Sequence, residues 1–119
     1  MSTAIAADTK SVIDRFNEAF NRHDVDAVMA LMTDDVIFEN TSPAPDGERF
    51  EGQAAVRAFW IEFFGNAASA VFDAEELVVM DDRACVRWRY SWGSGHVRGI
   101  DLMRVRDGKV AEKLSYVKG

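Results

Sequence analysis

Apolar residues recur at helical spacing in the first half of the chain and alternate with polar ones in the second. Val12, Ile13, Phe16, Ala19 and Phe20 share one helical face. Asp8 or Ser11 can cap that helix, and Asn21 to His23 break it. Asp24 can cap a second, shorter helix with Val25, Val28, Met29 and Met32 as its stripe. Thr33-Asp34-Asp35 reads as a turn and Val36-Ile37-Phe38 as a short strand. Pro43, Pro45, Asp46-Gly47 and Gly52 mark residues 40–52 as the one long irregular segment. Loops of that length in a compact domain are often functional lids or binding loops. Val56, Phe59, Trp60, Phe63 and Phe64 then predict a third helix, ended by Gly65-Asn66.

The second half reads as a meander. One strand runs to about Met80, and Asp81-Asp82 turns the chain. The next strand sets Ala84, Val86, Trp88, Tyr90 and Trp92 on one face and Arg83, Cys85, Arg87, Arg89 and Ser91 on the other. Gly93-Ser94-Gly95 turns into a strand from His96 to Arg106, and Asp107-Gly108 into a last strand from Lys109 to Val117. Helices followed by antiparallel strands predict an α+β fold. Three helices on one face of a curved sheet can enclose an apolar pocket, with Trp60, Trp88, Tyr90 and Trp92 as candidate walls.

Length predicts one domain over residues 1–119, with residues 1–7 a flexible tail. A net charge of −6 argues against a nucleic-acid partner. The single cysteine, Cys85, allows no intramolecular disulfide, which fits a reducing cytoplasm. No apolar run approaches the roughly 20 residues that span a bilayer, and the first ten residues lack a signal-peptide pattern. A soluble, cytoplasmic protein with no membrane partner is expected. Two isolated histidines, His23 and His96, with scattered acids make no metal-ligand motif, so no metal is expected.

The chemistry-bearing residues are Asn40, at the end of one apolar strand, and Asp101, amid Ile100, Leu102 and Met103 in another. A carboxyl group among apolar strand residues is costly unless hydrogen-bonded, paired or protonated, and such groups are acid/base candidates. Its neighbours depend on strand register. With a plain two-residue turn at Asp107-Gly108, Asp101 faces Leu114 and stays a lone acid. With a one-residue bulge, Lys113 and Ser115 face it and a buried ion pair results.

The segments Phe16 to Asp24, Ala27 to Leu31, Thr33 to Asn40 and Gly52 to Trp60, with Ile100-Asp101 and Asp107-Gly108-Lys109-Val110, carry a family resemblance. From about Asp8 to Val117 the chain resembles the nuclear transport factor 2-like superfamily, in its ketosteroid isomerase and SnoaL-like branch. The resemblance implies a cone-shaped fold: three N-terminal helices packed on a strongly curved, mostly antiparallel sheet. It implies a homodimer through the outer sheet face, where Arg87, Arg89, Arg98 and Arg104 would lie at or near the partner. Of the isomerase site, the general-base aspartate matches Asn40, the tyrosine donor matches Phe16, and the protonated acid donor matches Asp101. An amide is no base and phenylalanine no donor, so standard steroid isomerisation is not expected.

SnoaL-like polyketide cyclases imply a simpler arrangement. A single late-strand aspartate works as acid/base, and the pocket supplies shape. Asp101 would take that role with Asn40 orienting substrate or Asp101. Phe16, Phe38, Trp60, Trp88, Tyr90 and Met103 would bind a small hydrophobic carbonyl compound, with no cofactor. The competing expectation, from Phe16 and Asn40, is a non-catalytic ligand-binding or dimerisation module of the same fold.

Overall fold

A computed structural model describes residues 3–66 and 69–118 of the chain. Helix α1 spans Thr3–Asn21, and Val12, Ile13, Phe16, Ala19 and Phe20 are all buried along it. It starts five residues before Asp8, so Asp8 and Ser11 lie within the helix and do not cap it. Residues 3–7 of the expected tail form its first turns. His23 adopts φ 55°, the left-handed conformation that ends a helix, after which Asp24 accepts a 3.0 Å hydrogen bond from Ala27 N and caps α2, Val25–Ala30. Helix α3 covers Gln53–Asn66 and buries Val56, Trp60 and Phe64.

Six strands follow: β1 Met32–Glu39, β2 Arg49–Glu51, β3 Val71–Met80, β4 Arg83–Trp92, β5 Gly95–Arg106 and β6 Lys109–Val117. Two expectations change here. Thr33-Asp34-Asp35 is strand, not turn. Pairing of Met32 with Val110 captures it, a register shift before Ile37 absorbs the poor strand formers, and Asp35 pairs with Arg106. The irregular segment is also shorter than 40–52, because Arg49, Phe50 and Glu51 pair with Glu39, Phe38 and Ile37.

The sheet order is β2-β1-β6-β5-β4-β3, antiparallel except for the parallel pair β1–β6. It is mixed and not strongly curled, unlike the expected cone. Strong curvature needs bulges or glycine kinks at matching positions on neighbouring strands. Here the shifts are dispersed, one each in β1–β6, β3–β4 and β5–β6, while β4–β5 runs from Arg83↔Arg104 to Trp92↔Gly95 without one.

The helices cover one face of this sheet. Phe16, Ile13, Met29, Met32, Val86 and Met103 are fully buried between the layers. Each such side chain stabilises the fold by roughly 1.5–3 kcal/mol. Two carboxamides join elements. Asn21 exchanges hydrogen bonds with the Phe72 backbone (2.6 and 2.9 Å) and so docks the end of α1 on edge strand β3. Gln53 Nε2 donates to the carbonyls of Met29, Met32 and Thr33 at 3.0–3.2 Å, which fixes α3 against the α2–β1 junction.

Candidate functional site

Strand alternation aims Trp88 and Tyr90 of β4, Asp101 of β5, and Lys113 and Ser115 of β6 at the helices. The shift between Arg104 and Val105 decides the last two. It sets Ser115 opposite Asp101 and Lys113 opposite Met103, so the bulged alternative is the one adopted. Phe20 of α1, Phe59, Trp60 and Phe63 of α3, and Phe38 of β1 close the other walls. The result is a cleft of about 180 Å³ with Asn40 and Thr41 among its lining residues.

Asp101 is 1% exposed and Lys113 6%. Lys113 Nζ stands 3.1 Å from Asp101 Oδ2 and donates a 3.1 Å hydrogen bond to Ser115 Oγ. Trp88 Nε1 donates to Asp101 Oδ1 at 2.9 Å. Both groups facing the carboxyl group are donors, so Asp101 is seated as an acceptor. The ammonium also lies over three rings, 5.1 Å from the centroid of Phe38, 5.6 Å from Trp60 and 5.8 Å from Phe20. Cation–π attraction replaces part of its lost hydration. A buried pair is weak evidence for stability, because desolvation offsets much of the Coulomb attraction. Its place on the wall of a cleft is what marks it as a candidate site.

Gly99 makes the Trp88–Asp101 contact possible. It is the cross-strand partner of Trp88. A Cβ there would lie 2.4 Å from the indole and 2.2 Å from the Tyr116 carbonyl oxygen. Only a residue without a side chain lets the indole lie across β5 and reach Asp101.

Three polar atoms in cleft-lining residues are buried without a hydrogen-bond partner among the described residues: Asp101 Oδ2, whose contact with Lys113 is an ion pair, and two donors, Trp60 Nε1 and the Tyr90 hydroxyl. Burial pushes the Tyr90 phenol up, so it stays a neutral O–H donor near pH 7. Neither of the two donors has a partner in the fold's own bonding, and such orphans ask for an explanation.

Of the residues singled out from sequence, Asp101, Asn40, Phe38, Trp60, Trp88 and Tyr90 line the cleft. Phe16 and Met103 do not; both are wholly within the core behind it. Trp92 is 43% exposed and lies outside it. Asn40 lines the cleft, but its carboxamide oxygen accepts from the backbone N–H of Glu48 (2.7 Å) and of Ser42 (3.4 Å), so that oxygen shapes the loop. Glu39 pairs with Arg49 at 3.0 Å. Phe20, Phe59 and Phe63 also line the cleft, and in the sequence helical spacing assigns them to the core alone. Lys113 was legible only as one of two registers.

On the outer sheet face the arginine row is internally paired. Arg98 meets Glu75 at 3.1 Å, Arg87 meets Glu76 at 3.1 Å, and Arg104 meets Glu112 at 3.3 Å and Asp82 at 3.4 Å. Arg89 lies 3.4 Å from His96 Nδ1.

Residues 13–113 match a family model described as a SnoaL-like domain. Among solved structures, a nuclear transport factor 2-like protein of unknown function from Mesorhizobium loti is 42% identical. Its TM-score is 0.85, over 96% of this chain and 93% of that one. A candidate ketosteroid isomerase from Kribbella flavida is 20% identical, TM-score 0.83, over 96% and 80%. A candidate polyketide cyclase from Sinorhizobium meliloti is 21% identical, TM-score 0.77, over 89% and 94%. At that identity the last two establish a shared fold and nothing about chemistry. No curated protein matches the sequence.

Proposed function

Because the chain belongs to the SnoaL-like family, within the nuclear transport factor 2-like fold, we propose that its aromatic cleft binds a small hydrophobic carbonyl compound and moves a proton on it. The observation that carries this reading is the buried Asp101–Lys113 pair on the cleft wall. Asp101 takes a proton from the carbon next to the carbonyl. The enolate oxygen so formed is stabilised by the Lys113 ammonium and by the free O–H of Tyr90. Asp101 then returns the proton to a carbon conjugated with the first, which makes the net reaction an isomerisation. In a ring closure the enolate carbon instead bonds to a second carbonyl carbon of the substrate, and Asp101 gives the proton to that carbonyl's oxygen. Trp88 holds the carboxyl group in place throughout. Two proteins that share the fold carry the names of a candidate ketosteroid isomerase and a candidate polyketide cyclase, and this proposal is of the same class.

Size narrows the substrate. A cleft of about 180 Å³ is near the roughly 150 Å³ that holds one benzene ring. It is below the ~300 Å³ at which drug-sized ligands begin to fit. The reading is therefore a substrate that seats one ring or a short chain inside the cleft. Small cyclic ketones incubated with the protein in D2O test it by NMR. Wild type is expected to speed exchange of the α-protons, and Asp101→Asn to lose that acceleration. Equal exchange by both proteins rejects Asp101 as the proton carrier.

Asn40 and Phe16 favour a second reading, a binding module without turnover, since one is occupied with its loop and the other with the core. That reading predicts ligand-dependent stabilisation with no α-proton exchange. Either reading is compatible with pairing of two copies through the outer sheet face, where Ile100 and Tyr116 are 43% and 61% exposed beside the Arg–Glu pairs.

A further inference from the structure

Lys113 is the feature that proton transfer at Asp101 does not explain fully. Stabilising an enolate asks only for a fixed cation, which an arginine would supply as well; it does not ask for a primary amine set over three aromatic rings. Such a lysine is chemically distinctive. It is 6% exposed, its Nζ lies beside a carboxylate oxygen at 3.1 Å, and it lines the same cleft that the carbonyl compound would enter. The other lysines among the described residues, Lys10, Lys109 and Lys118, are all exposed. Desolvation in an apolar pocket is one way a lysine amine becomes a nucleophile toward carbonyl carbon, and an adjacent base can carry the proton it sheds.

We infer that Lys113 forms an imine with an aldehyde or ketone bound in the cleft, with Asp101 as the proton carrier for its formation and hydrolysis. This rests on the reading of the cleft as a carbonyl site and assigns that site a covalent step. The proton count closes within the pair. Nζ passes one proton to Asp101 Oδ2, and its lone pair attacks the carbonyl carbon. As the new C–N bond forms, the carbonyl π electrons move to oxygen. Asp101 protonates that oxygen and recovers a proton from the nitrogen, which leaves a neutral carbinolamine. Asp101 then protonates the hydroxyl group, the C–O bond breaks, water departs, and the nitrogen lone pair closes the C=N bond. Ammonium and carbonyl have become iminium and water. The positive charge is unchanged, so the ion pair with Asp101 survives the reaction, and Phe20, Phe38 and Trp60 face an iminium where they faced an ammonium. Addition to the C=N carbon, or loss of a proton from the carbon beside it, is then easier than on the free carbonyl. The cleft dimensions fit a carbonyl compound that places about one ring inside.

Reductive trapping of the intact protein tests the inference. Benzaldehyde is the probe, sodium cyanoborohydride the reductant, and peptide mapping by mass spectrometry the readout. Binding is followed separately, as the thermal shift that benzaldehyde causes without reductant. Pre-positioning in the cleft is expected to give at least about tenfold more benzyl adduct on Lys113 than on exposed Lys118. That preference should vanish in urea, where every lysine is equivalent. Asp101→Asn is expected to slow adduct formation at Lys113 and leave Lys118 unchanged. Lys113→Arg, which keeps the cation, should retain the fold by circular dichroism and lose the site-specific adduct. A thermal shift with no excess of adduct on Lys113 overturns the imine while leaving the cleft a carbonyl site. Neither shift nor excess overturns both.

Discussion

At the scale of single residues, Asp101 and Lys113 define each other. Removing the lysine strands a buried carboxylate, which typically costs about 3–5 kcal/mol. Replacing both partners by apolar groups of similar size avoids that penalty. Lys113→Met is therefore expected to lower unfolding free energy in urea by several kcal/mol, and Asp101→Leu/Lys113→Met to recover most of the loss. Additive losses in the double variant would show that the two side chains do not interact. This pair also marks how far the sequence could be read. Asp101 stands out because an acid among Ile100, Leu102 and Met103 breaks an apolar pattern. Its partner does not, because Lys113 faces it only when β6 carries an extra residue near Ala111. Nothing in Lys109 to Val117 announces that residue. The Trp88–Asp101 bond was likewise hidden, since it depends on the absence of a side chain at Gly99 on the facing strand.

At the scale of elements, local patterns were reliable where one face is buried and unreliable where tertiary pairing overrides propensity. The helices around Phe16 and Trp60 and the alternation of β4 were legible because burial is periodic in them. Thr33-Asp34-Asp35 was not, because its strand state comes from β6 and from Arg106, seventy-one residues away from Asp35. Asp35 also gives β1 a pH signature. The hydrogen bond from Arg106, then that from Thr33, holds its carboxyl group below the usual carboxylate range. A depressed carboxyl group favours the folded state above its unfolded pKa, and that contribution is lost as pH falls through the folded value. The group is fully exposed, so the effect on stability is small and the direct observable is the titration itself. In an NMR titration, Asp35 is expected to ionise at lower pH in wild type than in Arg106→Gln. Coincident curves would mean that the Arg106 contact is absent in solution.

At the scale of the whole molecule, two surfaces set the predictions: the cleft and the outer face of the sheet. The second is the simpler to test. The proposed pairing of two copies would bury Ile100 and Tyr116 and leave the cleft on the opposite face. Sedimentation velocity at micromolar concentration is expected to give a dimer for wild type and a monomer for Tyr116→Asp. A monomeric wild type would refute the pairing. Topology has its own consequence. Strand β6 comes after the other five described strands in chain order, yet it lies between β1 and β5 near the middle of the sheet. A nascent chain therefore holds Asp101 with no cation beside it until Lys113 has emerged, and β1 has no long neighbour until the same moment. The strand that fills the gap between β1 and β5 and the cation beside Asp101 are thus supplied by the same nine residues, Lys109–Val117.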